Sequence, residues 1–335
     1  MKAAVFDGKE ISIKVVPEPE PKNTQALVHV KAVGLCGTDL AIIDGSLPTP
    51  KPIILGHELS GKVVRVGKDV AETWLNKRIA SEINSNIDFN CYYCNEGLYT
   101  QCVSRKAIGI DINGALAEYI ALESYLLHEI PYSISYEEAT FIEPLAAAYQ
   151  VFETMPIDKN DKIMAIFGLG KLGLLITQVA LNKGLKIIVI DGSDKKLNIA
   201  KNYGAHHAIN RLNCADIPQK IKSLTKDLGV DIALDATGNP NALSDIIASC
   251  RTRGKIHVKS THGIDTPINL TEVVVRELTL YSSRCGPFEK AIEGLESGQI
   301  SIKELISKTF TLDNIKEALE SYKQDRNHIK TIIQV

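Results

Sequence analysis

No stretch of this 335-residue chain is apolar for long enough to cross a bilayer. The least interrupted apolar stretches, such as Leu172 to Leu181, reach about half the ~20 residues that a spanning helix needs. Charge of one sign is also lacking, since 38 basic and 40 acidic side chains leave a net charge of -2. That balance supplies no field to gather nucleic acid or anionic lipid, so both are excluded as partners and a small molecule is expected instead. The amino terminus regains charge at Asp7, before a signal-peptide core of about 7 to 15 apolar residues forms, and a cytoplasmic protein is expected. Internal repeats, low-complexity tracts and long linkers are missing. Seven cysteines are an odd number, and thiols of a cytoplasmic chain stay reduced, so a disulfide framework accounts for them poorly. Metal binding or catalysis accounts for them better, because Cys91, Cys94 and Cys102 cluster while Cys36, Cys214, Cys250 and Cys285 are scattered.

What is present suffices for two cores. At roughly 150 residues per domain the length predicts about two domains, and 44% of the residues are apolar. Residues 1 to about 130 carry short β-type runs, including Gln25 to Val33 and Gly61 to Val66, punctuated by Pro17, Pro19, Pro21, Pro48, Pro50 and Pro52. This texture predicts an irregular, mostly β domain. From about residue 145, six apolar strands alternate with helical patterns: Ile163 to Phe167, Ile187 to Ile190, Ala208 to Ile209, Asp231 to Ala236, Ile256 to Lys259 and Leu278 to Ser282. Such alternation predicts an α/β fold with a doubly wound, six-stranded parallel Rossmann sheet. The last fifty or so residues return to a mixed pattern, with amphipathic helices near Glu289 to Ser297 and Leu312 to Lys323 and a strand Thr331 to Val335.

A glycine motif, Gly168-Leu169-Gly170-Lys171-Leu172-Gly173, follows the first of the six strands and opens a helix. In that context the glycines let the backbone turn tightly and approach a pyrophosphate at a helix amino terminus. Asp191 ends the next strand, where a carboxylate accepts hydrogen bonds from ribose hydroxyls and repels a 2'-phosphate, so NAD is favoured over NADP. No arginine follows Asp191 directly, and Lys196 stands within reach of the ribose.

The segment Gly56-His57-Glu58-Leu59-Ser60-Gly61, with Gly67 and Val70, completes the pattern G-H-E-x2-G-x5-G-x2-V. Together with Cys36-Gly37-Thr38-Asp39, Glu143-Pro144 and Gly114-Ala115-Leu116-Ala117-Glu118-Tyr119, it resembles the zinc-dependent medium-chain alcohol and polyol dehydrogenases over nearly the whole chain. Cys36 and His57 are zinc ligands of the preferred sulfur and nitrogen type, and Glu58 and Glu143 can add oxygens. The resemblance implies that all four serve a catalytic zinc and that Asp39 orients the ring of His57. The zinc would polarise the substrate oxygen while a hydride leaves for the nicotinamide.

The family's structural zinc lobe uses four cysteines spaced C-x2-C-x2-C-x7-C, where this chain reads Asp88-x2-Cys91-x2-Cys94-x7-Cys102. Zinc accepts an aspartate oxygen, so a second, structural zinc is expected there. Thr38 stands two residues past the zinc cysteine and is expected to hand the substrate proton onward. In relatives a histidine often stands five residues after that cysteine, and position 41 here is Ala. Lys330 aligns with a basic residue that contacts the cofactor pyrophosphate in the family. His29, His128, His206, His207, His257, His262 and His328 carry no motif and are assigned no chemistry.

The resemblance also implies a GroES-like catalytic domain over residues 1–144 and 284–335, an NAD-binding domain over 145–283, and a homo-oligomer, a tetramer rather than a dimer. A glutamate at position 143 leans the substrate toward a secondary alcohol, polyol or sugar. The alternatives are a zinc-free quinone or enoyl reductase, and a cofactor-binding relative with a regulatory or structural role.

Overall fold

The computed structural model describes residues 1–261, 263 and 265–335, so His262 lies outside the described residues. Two compact units divide the chain. One comprises Met1–Glu143, Ala291–Glu296 and Ser301–Val335, and the other Pro144–Lys290 and Ser297–Ile300. The expected boundary at 283/284 therefore moves to Lys290. Phe288 is buried, and Lys290 makes a 2.7 Å ion pair to Glu153 within the same unit, so the start of helix Phe288–Glu296 stays with Pro144–Lys290.

The second unit is built on six parallel strands: β1 (Ile163–Phe167), β2 (Lys186–Asp191), β3 (His207–Asn210), β4 (Val230–Asp235), β5 (Cys250–Val258) and β6 (Thr279–Ser282). They lie in the order β3-β2-β1-β4-β5-β6, with every pairing parallel. The order reverses between β1 and β4, the switch point outside whose carboxyl ends a doubly wound sheet binds its ligand. The strands are continuous apolar runs because they are covered on both faces, and Met164 to Ile166, Ile187 to Val189 and Ile232 to Leu234 have almost no exposed surface. Helix starts are fixed locally. Ser193 accepts from the backbone of Lys196 at 3.2 Å, and Asp216 accepts from that of Gln219 at 2.8 Å, each satisfying an otherwise orphaned donor.

In the first unit a seven-stranded sheet has Gln25–Gly34 at its centre, flanked by Glu58–Val66 and by the carboxy-terminal strand Lys330–Gln334. The strand Lys330–Gln334 thus pairs with Gln25–Gly34 of the amino-terminal half, which is why the mixed carboxy-terminal pattern belongs to this unit. Gly34 is paired with Glu58 on one side and Ile332 on the other. A Cβ at Gly34 would run into Lys330 Nζ, so the absence of a side chain there makes room for a lysine between two strands. The core under this sheet is aliphatic, with Leu35, Ile42, Leu55, Leu59 and Leu116 buried around the segments that carry Cys36 and His57. No helix among the described residues is long and apolar enough to cross a membrane.

Candidate metal and dinucleotide sites

The glycine turn leaves β1 at Gly168, whose φ of +89° lies in the left-handed region that favours glycine. A Cβ there would also stand 2.6 Å from the carbonyl oxygen of Ala236. Gly170 caps the helix Lys171–Asn182 with open space above its Cα, and Gly173 packs against the Gly168 carbonyl. Backbone N-H groups at this helix start are therefore accessible to an anion. Leu172 lies half-buried in the first turn. Asp191 ends β2 with both carboxylate oxygens engaged, Oδ2 accepting from Leu169 N at 2.7 Å and Oδ1 from Ser193 N at 2.8 Å. The acid so fastens the glycine turn to the exit of β2. Lys196 is half-buried in the helix Asp194–Asn202.

Arg211, which the sequence pattern does not single out, follows β3. A Cβ on Gly192 would lie 3.2 Å from its Nε and 3.5 Å from its Cζ, so its guanidinium rests beside the loop after Asp191. Only the parallel order of β2 and β3 brings the two together.

Cys36 caps the short helix Gly37–Ile43, and Asp39 at its third position accepts from Cys36 N at 2.8 Å and from Gly56 N at 3.2 Å. One buried carboxylate thus joins the helix start to the loop that carries His57. Cys36 Sγ, a ring nitrogen of His57 and a carboxylate oxygen of Glu58 lie within 4.8 Å of one another. His57 and Glu58 are buried and Cys36 is half-buried. Burial pushes the His57 ring toward the neutral form, yet its hydrogen bond to Cys36 and the charges of Cys36, Asp39 and Glu58 outweigh it and raise its pKa to about 10. So much converging negative charge, with a sulfur, a nitrogen and an oxygen donor, fits a divalent cation of zinc's chemistry.

The surroundings differ from expectation at three points. Asp39 Oδ1 stands 3.8 Å from His57 Nδ1, an ion pair rather than a hydrogen bond, while the same carboxylate accepts from the backbone of Cys36 and Gly56. Glu143, in the first turn of helix Ile142–Thr154, stands outside the three-residue group. Lys330, expected at a pyrophosphate, is fully buried: its ammonium is paired with Glu58, accepted by Thr140 O at 3.4 Å and placed 4.8 Å from the Phe141 ring. A cation with no exposed surface cannot reach an anion outside the sheet, and its charge is already engaged. Thr38 is half-buried, with Oγ1 accepting from the Cys36 thiol at 3.6 Å.

The second group, Asp88, Cys91, Cys94 and Cys102, also has its ligand atoms within 4.8 Å of one another. Cys91 Sγ and Cys94 Sγ are 3.6 Å apart. Hydrogen bonds from the backbones of Asn90 and Cys91 hold the Asp88 carboxyl well below the usual carboxylate range. Burial pushes the Cys94 thiol up to about 12, whereas a hydrogen bond from the Val103 backbone draws Cys91 down. Three sulfurs and a carboxylate at this spacing share one centre, and a zinc ion there would let all three ionise.

The chain matches the alcohol dehydrogenase GroES-like domain over residues 22–132 and the zinc-binding dehydrogenase family over residues 172–297. It is 33% identical to a sorbitol dehydrogenase of Bacillus subtilis (strain 168), over 98% of this chain and 95% of that one. It is 31% identical to a D-arabitol-phosphate dehydrogenase of Enterococcus avium, over 94% and 91%. The crystal structure of an Escherichia coli CFT073 alcohol dehydrogenase complexed with NADH matches at a TM-score of 0.91 and 26% identity, covering 100% of this chain and 99% of that one. The fold, the two ligand groups and these likenesses agree: the chain belongs to the zinc-type medium-chain alcohol and polyol dehydrogenases.

Proposed function

We propose that this enzyme oxidises a secondary hydroxyl of a polyol or sugar reversibly, with NAD as hydride acceptor. The observation that carries the reading is the convergence of Cys36 with the adjacent pair His57 and Glu58 from a second segment of the chain. Bound there, zinc supplies Lewis-acid polarisation of the substrate oxygen. Cys36 and His57 hold it, Glu58 adds an oxygen, and Glu143 acts near the fourth position. Thr38, two residues past Cys36, takes up the hydroxyl proton and passes it on through water or the cofactor ribose, since Ala41 offers no acceptor. Lys330 keeps Glu58 ionised and in place.

Gly168, Gly170 and Gly173 seat the pyrophosphate on the helix start, with Leu172 in the same turn and Lys196 at the ribose. Asp191 accepts from the ribose hydroxyls and disfavours NADP. A second zinc at Asp88, Cys91, Cys94 and Cys102 is structural. Reduced thiol ligands suit a cytoplasmic enzyme. Exposed Leu270, Val274 and Val275, with Leu280 on the terminal strand β6 of the sheet, support a homo-oligomer; the family resemblance alone favours a tetramer over a dimer.

The test is a panel of polyols, polyol phosphates, sugars, threonine and simple secondary alcohols assayed with NAD and NADP, alongside elemental analysis. Two zinc ions per chain and NADH formation from a polyol are expected. Turnover of an alcohol by zinc-free protein would sink the mechanism.

A further inference from the structure

The loops after β2 and β3 meet beside Asp191. Arg211 N donates to Asp191 O at 3.0 Å, and the preceding Asn210 donates its amide to Asp194 Oδ1 at 2.7 Å, so the exit of β3 is braced against the helix that starts at Asp194. From that anchored backbone the exposed Arg211 guanidinium lies across the space that a side chain on Gly192 would fill. The adenosine ribose of a dinucleotide comes to the acid that ends this strand, and its 2'-oxygen would face Asp191 with Arg211 close by.

We propose that Arg211 is a cofactor-specificity residue. It already supplies the cation that a 2'-phosphate needs, so Asp191 alone keeps NADP out. This inference rests on the dinucleotide reading given above. A guanidinium offers a phosphate two parallel charge-assisted hydrogen bonds, while the Asp191 carboxylate opposes the same phosphate by like charge. Removing the carboxylate does more than lift the repulsion. It frees the N-H groups of Leu169 and Ser193, which now donate to Asp191 at 2.7 and 2.8 Å, and two backbone donors then face the anion together with Arg211. An arginine placed at Gly192 would crowd Arg211, whose Nε would lie 3.2 Å from the new Cβ and would have to shift.

The experiment uses the zinc-loaded full chain and measures calorimetric dissociation constants for two probes, adenosine 5'-monophosphate and adenosine 2',5'-bisphosphate, with melting curves to show that each variant is folded. The wild type is expected to bind the monophosphate the more tightly. Asp191→Ala, with Asp191→Ser as a second variant, should tighten the bisphosphate at least about tenfold and weaken the monophosphate a few-fold. Adding Arg211→Ala to either variant should return the bisphosphate to its wild-type weakness while moving the monophosphate by less than about threefold. Equal losses for both probes on removing Arg211 would mean that it only packs on adenine and would overturn the proposal. No tightening of the bisphosphate in either Asp191 variant overturns it as well. A wild-type chain that binds neither probe instead refutes the dinucleotide reading on which the proposal stands.

Discussion

Two groups of metal-ligating side chains are made in opposite ways. Cys36 comes from a helix cap, the adjacent His57 and Glu58 come from the start of strand Glu58–Val66, and the two segments are brought together by the fold. Asp39 joins two of these segments through backbone hydrogen bonds, and Lys330 comes from the far end of the chain to neutralise Glu58. Asp88, Cys91, Cys94 and Cys102 lie within one short segment, whose geometry is set by local bonds such as Cys91 N to Asp88 Oδ1 at 2.9 Å. Its apolar side chains face outward, with Phe89 52%, Tyr92 71% and Tyr99 49% exposed, while Cys94 and Cys102 are buried. Beside the sulfurs, Phe89 contacts Tyr99 and Tyr125, with ring centroids 5.6 and 5.0 Å apart. The first group is therefore held by the fold, in keeping with the catalytic role proposed for it, whereas a metal at the second would hold the lobe itself.

The strongest way to break this comparison is to remove a ligand from the buried group. Cys36→Ala should lower kcat by about 10³-fold or more, since Lewis-acid stabilisation is worth several kcal/mol. The zinc content should fall by one per chain while the melting temperature moves little, because the surrounding sheet persists without the metal. Turnover within tenfold of wild type, with that zinc lost, would show that the site is not catalytic.

A second test asks what holds the buried group. Lys330→Met removes the ammonium that pairs with the buried Glu58 carboxylate, and breaking a buried pair from one side costs about 3 kcal/mol or more. Urea denaturation of the metal-free protein should show that loss, and the double variant with Glu58→Gln should recover part of it because the carboxylate charge is gone. A single variant as stable as wild type would mean that Glu58 is neutralised by another group.

The contrast between the two groups also explains what could be read from the sequence. Five of the six strands of the Rossmann sheet are legible to within one residue, because apolar runs between turn residues are a local signal, whereas the strand read as Ile256 to Lys259 starts at Cys250, in the polar stretch Arg251 to Lys255. The glycine turn and both cysteine-bearing groups were legible for the same reason, each being a short motif. Lys330 was assigned to a pyrophosphate, and only the pairing of Gln25–Gly34 with Glu58–Val66 and Lys330–Gln334 reveals that it lies against Glu58. Arg211 was missed because its position beside Gly192 depends on the parallel order of β2 and β3. Glu143 is proposed near the metal from its motif alone, and in the first turn of helix Ile142–Thr154 it stands outside the three-residue group. Local pattern carries elements and motifs; juxtaposition between distant segments has to be seen.

Thr38 sharpens the chemical side of the comparison. Thr38→Val keeps the shape and removes the hydroxyl, so turnover should fall by roughly 10²-fold while zinc content and NAD affinity stay as in wild type. A rate near wild type across pH 6 to 10, with zinc occupancy confirmed, would remove Thr38 from the proton path.

The smallest effect on turnover belongs to the lobe. Cys94→Ser replaces a buried sulfur that has two neighbours of its own kind, and the three remaining donors hold zinc less tightly. Zinc content should drop by one per chain, and the melting temperature should fall because the lobe loses the centre around which its exposed aromatics are arranged. The catalytic ligands stand on the sheet and its flanking segments and need nothing from this segment, so kcat per remaining zinc at 25 °C should change by less than about threefold, roughly 0.7 kcal/mol of barrier. Elemental analysis, melting curves and an alcohol-dependent NADH assay on one preparation separate the outcomes. A loss of kcat as large as that of Cys36→Ala would show that the lobe supports the reacting centre, and an unchanged melting temperature with one zinc ion per chain in both wild type and variant would show that the lobe holds no metal.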